Sequence, residues 1–268
     1  MSFGDFYRRL SNNSNNISNW FPKIEKCGLA VPKTCIIKVP ENIVKAFFME
    51  PEKNETIDTL FDRVYDWVDG VLVPTAREEI GKGLWFMKNG CFSNKYNFNS
   101  CCVTDNSHEI TTKLIDINYT SLMFDTGGNT EVAIRERILF DENTIPCIYN
   151  GMPLRPEYRI FYDFDNHKLL YSVNYWDWNY CHDAISRNAT DKIVYEHVYD
   201  KIYKEYTKNK INVEQIVDSC LKNITELKGK WSIDILDTGY ELYLIDMAIA
   251  EDSAYWNPDK CYKQRTIT

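Results

Sequence analysis

What this sequence of 268 residues lacks narrows it first. It has no apolar run long enough to span a bilayer, and the stretch 3–17 is broken by Asp5, Arg8, Arg9 and a series of Asn and Ser, so it is not expected to act as a secretory leader. It has no basic excess: 31 Lys and Arg stand against 39 Asp and Glu, a formal charge of −8, and no overall field draws nucleic acid or an anionic membrane to it. It has no pair of CxxC motifs, which removes a zinc knuckle and a redox dithiol from consideration. The nine scattered cysteines then read as small core residues in a reducing compartment, and the expected address is cytoplasmic. There is no internal repeat and no clear linker. The length suits one large domain or two small ones sharing a cleft, with no need of a staple.

What is present reads as α+β. The polar run 11–16 is too poor in apolar groups to pack and is expected to be a loop, with structure beginning after it. Residues 20–24 follow as a short helix, Gly28 as a turn, and the β-branched stretch 35–39 as a strand. Between 54 and 70, Ile57, Leu60, Phe61, Val64, Tyr65 and Val68 fall at the three- and four-residue steps of one helix face, which Gly70 can end. Residues 84–88, the turn Asn89-Gly90 and residues 91–98 read as a hairpin, with Lys88 and Lys95 on or beside it. A helix over 108–124 precedes strands at 131–139, 158–165 and 168–176, the last two joined at Asp165-Asn166. Two helices, 191–207 and 213–227, lead to a final hairpin of 231–236 and 241–247 that turns at Asp237-Thr238-Gly239. Connections this short make the sheets antiparallel.

Four places carry candidate chemistry. In the final hairpin, Asp234 and Asp246 interrupt strands that are otherwise apolar, and two carboxylates aimed at one point repel unless a cation lies between them. Hard oxygen ligands of this kind suit Mg²⁺, although Asp234 paired with a lysine, or Asp246 capping a strand, would also account for them. Lys88 and Lys95 could neutralise phosphate oxygens, or be solvated lysines. In Glu157-Tyr158-Arg159 the guanidinium fork could face phosphate and the carboxylate a ribose hydroxyl, the alternative being a cross-strand ion pair. At 133–138 an apolar strand gives way to alternating charge, where backbone groups could meet an adenine edge. His167, His182 and His197 have no partner motif, so no general base is identified.

The order of these four pieces, Trp85-Phe86-Met87-Lys88 with Ser93-Asn94-Lys95, then 133–138, then Glu157-Tyr158-Arg159-Ile160-Phe161, then Tyr243-Leu244-Ile245-Asp246, resembles the ATP-grasp superfamily over residues 84–256. The likeness is to the branch of eukaryotic cell-division-cycle ATP-grasp proteins and small bacterial and phage relatives. It implies two α+β subdomains with antiparallel sheets enclosing a nucleotide cleft, residues 1–75 being a small α/β segment ahead of a module at 76–268. It further implies ATP phosphates at Lys88 and Lys95, adenine beside Glu136, Arg137 and Ile138, ribose near Glu157, Arg159 supporting phosphates or an acyl-phosphate, and Mg²⁺ on Asp234 and Asp246. The implied activity is an ATP-dependent carboxylate–amine or carboxylate–thiol ligase acting through an acyl-phosphate. One departure matters: many relatives place Asn two positions after the second metal acid, and here Ala248 stands there, leaving Glu251 or Asp252 to supply the oxygen. The phosphate-covering loop is not obvious, Gly127-Gly128 lying ahead of the hinge strand. The departure favours a rival role, ATP-dependent binding of a protein partner without turnover, with the aromatic segment 175–180 as its surface. A third reading, nucleic-acid repair or modification, runs against the net acidity.

Overall fold

The computed structural model describes residues 2–48, 56–123, 129–140 and 145–262. In chain order these form helices α1 (Phe3–Ser11) and α2 (Ile17–Ile24), strand β1 (Thr34–Lys38), helices α3 (Glu41–Phe47), α4 (Ile57–Trp67) and α5 (Val73–Ile80), and strands β2 (Trp85–Asn89) and β3 (Cys102–Val103). Helix α6 (Ser107–Met123), strand β4 (Glu131–Glu136) and the two-residue strands β5 (Cys147–Ile148) and β6 (Met152–Pro153) follow. The chain closes with β7 (Glu157–Asp163), β8 (Lys168–Asn174), α7 (Trp178–Ile185), α8 (Ala189–Leu221), β9 (Lys230–Asp237) and β10 (Leu242–Ile249).

Two compact units interleave along the sequence. The first takes Met1–Asn19, Pro32–Leu139 and Tyr149–Met152; the second takes Trp20–Val31, Phe140–Ile148 and Pro153–Thr268. The first unit holds an antiparallel sheet of order β1-β4-β2-β3. Pleating sends Ile37, Cys35, Val132, Ile134, Trp85 and Met87 to one face, where they meet Val64, Val68, Leu72, Leu114 and Ile117 from the helices. Each large side chain buried there stabilises the fold by about 2 kcal/mol. Helix α4 starts on a reciprocal cap, Thr56 accepting from the Thr59 N–H while the Thr59 hydroxyl accepts from the Thr56 N–H.

The second unit holds an antiparallel sheet of order β10-β9-β7-β8, with α8 on one face. Tyr158 marks that face: its ring lies 4.8 Å from that of Tyr206, and its hydroxyl donates to the Tyr206 carbonyl. The turn from β7 to β8 is held by Asp163, whose carboxylate accepts from the Asp165 and Asn166 N–H groups and from the Asn166 amide.

Several sequence expectations are corrected. Residues 3–11 are helical, because Phe3, Phe6, Tyr7 and Leu10 fall at helical steps and pack on the first unit's core. The Asn-rich run after them does pack: Asn16 is fully buried, donating to the Leu10 and Ser11 carbonyls and accepting from Asn129. Gly70 does not end its helix. It lies in a π-helical turn, Val68–Leu72, that joins α4 to α5, where Pro74 supplies no N–H to an α-helical ladder. The two helices expected over 191–227 are the single helix α8, since no Gly or Pro separates residues 207 and 213.

Candidate functional site

In the second unit, one residue of irregularity creates the acidic face. From the closing hairpin turn, Leu242 pairs with Asp237, Tyr243 with Leu236 and Leu244 with Ile235, so a regular ladder would bring Ile245 opposite Asp234. A β-bulge at Ile245 instead pairs Asp246 with Asp234 and turns the Asp246 carboxylate to the face away from α8, which Asp234 already occupies by its register with β7. On the other side of β9, Arg159 of β7 is also in register with Asp234, and Glu157 lies two residues earlier on the same face.

Arg159 grips Asp234 with both prongs, Nε to Oδ1 at 2.8 Å and Nη2 to Oδ2 at 2.7 Å, while Nη1 donates to the Ala254 carbonyl at 3.4 Å. Its guanidinium stands 4.8 Å from the Tyr175 ring centroid. Burial opposes the charge on Arg159, but Asp234, then Glu157 and Asp246, outweigh it and hold the guanidinium protonated more firmly than usual. Three carboxylates thus converge on one guanidinium. The rest of this face is covered by the chain after β10: Trp256 packs on Phe161 and Tyr171, and the Tyr255 hydroxyl donates to the Tyr175 carbonyl.

The residues fit a magnesium ion held in part by substrate. Asp234 and Asp246 are paired hard-oxygen donors, and each Asp234 oxygen keeps a second lone pair beyond its bond to Arg159. Among the described residues no cluster of three or more His, Cys, Asp or Glu could hold a metal alone. Ala248 offers only a methyl group, opposite Ser232, whose hydroxyl donates to the Ala248 carbonyl. Glu251 and Asp252 are exposed on the short helix Ala250–Asp252 that follows.

In the first unit, Lys88 of β2 is opposite Ala133 of β4 and, by the two-residue period, shares with Arg135 the face opposite to that of Trp85, Met87, Val132 and Ile134. Lys88 and Arg135 are 3% and 4% exposed, and Arg135 donates through Nε to the Thr34 hydroxyl. Burial pushes the Cys101 thiol up to about 12 even though the Lys88 charge works in the opposite direction. The expected hairpin is corrected here. The Asn89 side chain accepts the N–H groups of Cys91 and Phe92, and its own N–H donates to the Phe92 carbonyl, which closes the turn at once. The chain then enters a 3₁₀ segment, Lys95–Ser100, so Lys95 lies on that helix and only Cys102–Val103 returns beside β2.

Strand β4 ends at Glu136, shorter than the expected 131–139. The Glu136 N–H donates to the Lys33 carbonyl and the Arg137 N–H to the Leu84 carbonyl; Ile138 is half-buried, and Leu139 is the last residue of this stretch of the first unit. Gly127-Gly128 lies outside the described residues.

The aromatic segment 175–180 is not the surface it was expected to be. Tyr175 and Trp176 are buried, and Trp178 stacks on His182 at 4.3 Å and on Tyr195 at 5.6 Å. Tyr180 alone among its large aromatics is exposed. His182 is tied to Glu196 at 2.9 Å, His167 sits at positive φ in the β7–β8 turn, and His197 is exposed on α8. Sequence reasoning missed Tyr175 and the Ala254 carbonyl as supports of Arg159, since neither residue type at those positions signals a ligand.

No family model matches the sequence, and no curated protein matches it. Solved structures do. Cdc123 from Schizosaccharomyces pombe superposes with a TM-score of 0.53 at 15% identity, covering 88% of this chain and 84% of that one. Its C-terminally truncated form gives a TM-score of 0.51 at 15% identity, over 88% and 83%. D-alanine–D-alanine ligase from Bacillus anthracis complexed with ATP gives 0.36 at 10% identity, over 87% and 52%. The chain therefore has the α+β ATP-grasp fold, with antiparallel sheets.

Proposed function

We propose that this chain binds ATP together with magnesium and uses it to ligate a carboxylate to an amine or a thiol. The observation that carries the reading is the bulge at Ile245, which sets Asp246 opposite Asp234 beside Arg159 and Glu157. The bulge keeps Leu244 and Met247 on the packed side of the sheet and gathers the carboxylates on the other, where they suit a divalent cation. Asp234 and Asp246 would hold the magnesium, which when bound would offset the negative charge of phosphate oxygens. Arg159 would orient a phosphate or acyl-phosphate oxygen with its fork, and Glu157 would accept from a ribose hydroxyl. Lys88 and Lys95 would meet phosphate oxygens, and the backbone of Glu136, Arg137 and Ile138 would border adenine. In the overall reaction the carboxylate takes the γ-phosphoryl group from ATP, and the incoming amine or thiol then displaces phosphate.

A second reading is favoured by two observations: the methyl group of Ala248, where many members of the superfamily that the sequence resembles carry an Asn, and the hold of Arg159 on both oxygens of Asp234. Both weaken metal binding, and they support a protein that binds ATP to stabilise a partner-binding state without turning it over.

Calorimetric titration of ATP with and without Mg²⁺ tests the common ground. Binding that requires Mg²⁺ supports both readings, and no binding under either condition contradicts both. Phosphate release measured on the same sample with a panel of carboxylic acids and amines then separates them. Release that depends on an acid and an amine identifies the ligase, and saturable binding with no release under any combination identifies the binder.

A further inference from the structure

The acidic face of the second unit already contains a cation of its own. The Arg159 fork takes both oxygens of Asp234, at 2.8 and 2.7 Å, and the two side chains are only 13% and 10% exposed. Glu157 and Asp246 add their charges to the same guanidinium, so the carboxylates outnumber the one counter-charge among them. A guanidinium keeps its proton at every ordinary pH, so titration near neutrality does not open this pair. It opens when another anion takes the fork.

Two obstacles follow from this arrangement. A divalent cation that reaches Asp234 alone meets the positive charge of Arg159 and competes with two charge-assisted hydrogen bonds. A polyphosphate that arrives alone meets the excess of carboxylates. Arriving together, each removes the obstacle of the other, since phosphate oxygens draw the fork and the cation balances the carboxylates. Arg159 has two further holds that do not involve Asp234: the Tyr175 ring at 4.8 Å and the Ala254 carbonyl at 3.4 Å. The fork can therefore change partner while the guanidinium stays on this face.

We propose that Arg159 couples the binding of metal to the binding of nucleotide. With its fork on Asp234 it closes the acidic face to a divalent cation alone, and a phosphate oxygen that takes the fork releases Asp234 to the metal. The inference rests on the reading that Asp234 and Asp246 hold magnesium together with ATP. It gives Arg159 a role beyond orienting a phosphate: its removal makes metal binding less dependent on nucleotide, where the loss of a simple phosphate contact would only weaken the complex.

Titration of the full chain with Mn²⁺ alone, read from the loss of the free-ion electron paramagnetic resonance signal, tests it. Arg159→Gln, which removes the charge, should bind Mn²⁺ without ATP at least about tenfold more tightly than the wild type, and adding Asp246→Asn should abolish that gain. Because Arg159→Gln strips the counter-charge from a buried pair and could unfold the chain, Arg159→Lys is measured beside it. Lysine keeps the charge but meets Asp234 at a point rather than with a fork, and its affinity should fall between the two. Wild type that binds Mn²⁺ without ATP as tightly as the variants do, or variants that need ATP as much as the wild type does, would overturn the coupling and leave the magnesium reading standing. Failure of Mn²⁺ to bind the variants alone and the wild type with ATP would overturn the two together.

Discussion

The two four-stranded sheets of this protein treat charge in opposite ways. The face of the first sheet that turns away from its helical core carries Lys88 and Arg135, and the corresponding face of the second carries Glu157, Asp234 and Asp246 around Arg159. In the second sheet every one of these groups is placed by strand register. In the first, Lys88 and Arg135 are, whereas Lys95 hangs on a 3₁₀ segment whose start depends on the hydrogen bonds of the Asn89 side chain. The difference teaches that the acidic face is part of the fold's own electrostatics, so that damage there reaches stability, whereas the cationic contribution of Lys95 can be changed with less consequence for the core.

The largest effect should come from Arg159→Ala. It strips the counter-charge from a pair whose side chains are 13% and 10% exposed, leaving Asp234 beside Asp246. Urea denaturation should show a loss of about 3 kcal/mol, and millimolar Mg²⁺ should recover more stability in the variant than in the wild type. A variant as stable as the wild type would mean that the two sheets do not differ in this way.

Lys88→Met keeps the length of a buried side chain and removes its charge. It should weaken magnesium-dependent ATP binding by about 2 kcal/mol in calorimetry, with a circular-dichroism spectrum like that of the wild type. Lys95→Met should do so by less, with a smaller change in melting temperature; equal losses of stability in the two variants would erase the contrast between strand-borne and loop-borne lysines.

Asp163 sharpens the comparison within the second unit, because it is an acid used only for structure. Burial pushes its carboxyl up, but the bonds from Asn166 and Asp165 and the charge of Lys230 outweigh that and hold it below its ordinary value of 3.8. A group depressed in the folded state contributes stability above its unfolded pKa and loses it as pH falls through the folded one. Asp163→Asn should therefore cost about 1 kcal/mol near neutrality, and the gap from the wild type should close as the pH falls below 3.8. A gap that stays constant with pH would remove the carboxylate from the explanation.

The smallest effect is expected from deleting Ile245. The ladder then runs without a bulge and Asp246 still meets Asp234, so stability should stay within about 1 kcal/mol and ATP should still bind with Mg²⁺. Loss of magnesium dependence in a folded deletion variant would show that the bulge shapes the site beyond register.

Much of this was legible in the sequence. The strands and their short connections, the amphipathic stretch that became α4, and the two acids in an apolar hairpin all carry local signals. The bulge does not, because nothing in Leu244-Ile245-Asp246 distinguishes it from a regular strand in which Asp246 would face α8. Nor does the Arg159–Asp234 pair, which exists because β7 lies beside β9 although the whole of β8, α7 and α8 intervenes in the chain. Lys95 was misplaced because Asn89-Gly90 does announce a turn, and the side chain of Asn89 closes it too early for a long second strand. Helix α1 was announced by Phe3, Phe6, Tyr7 and Leu10, a pattern overshadowed by the Asn-rich run that follows. The interleaving of the two units is a property of contacts between distant segments, which periodicity does not encode.

The central claim is that Asp234 and Asp246 hold a divalent cation together with ATP. Electron paramagnetic resonance of Mn²⁺, a close substitute for Mg²⁺ at oxygen sites, reads this directly in the presence of ATP and the whole chain. The account predicts a protein-bound Mn²⁺ signal that needs ATP and is lost in a folded Asp246→Asn variant. The same signal in that variant, or none in the wild type, would contradict it.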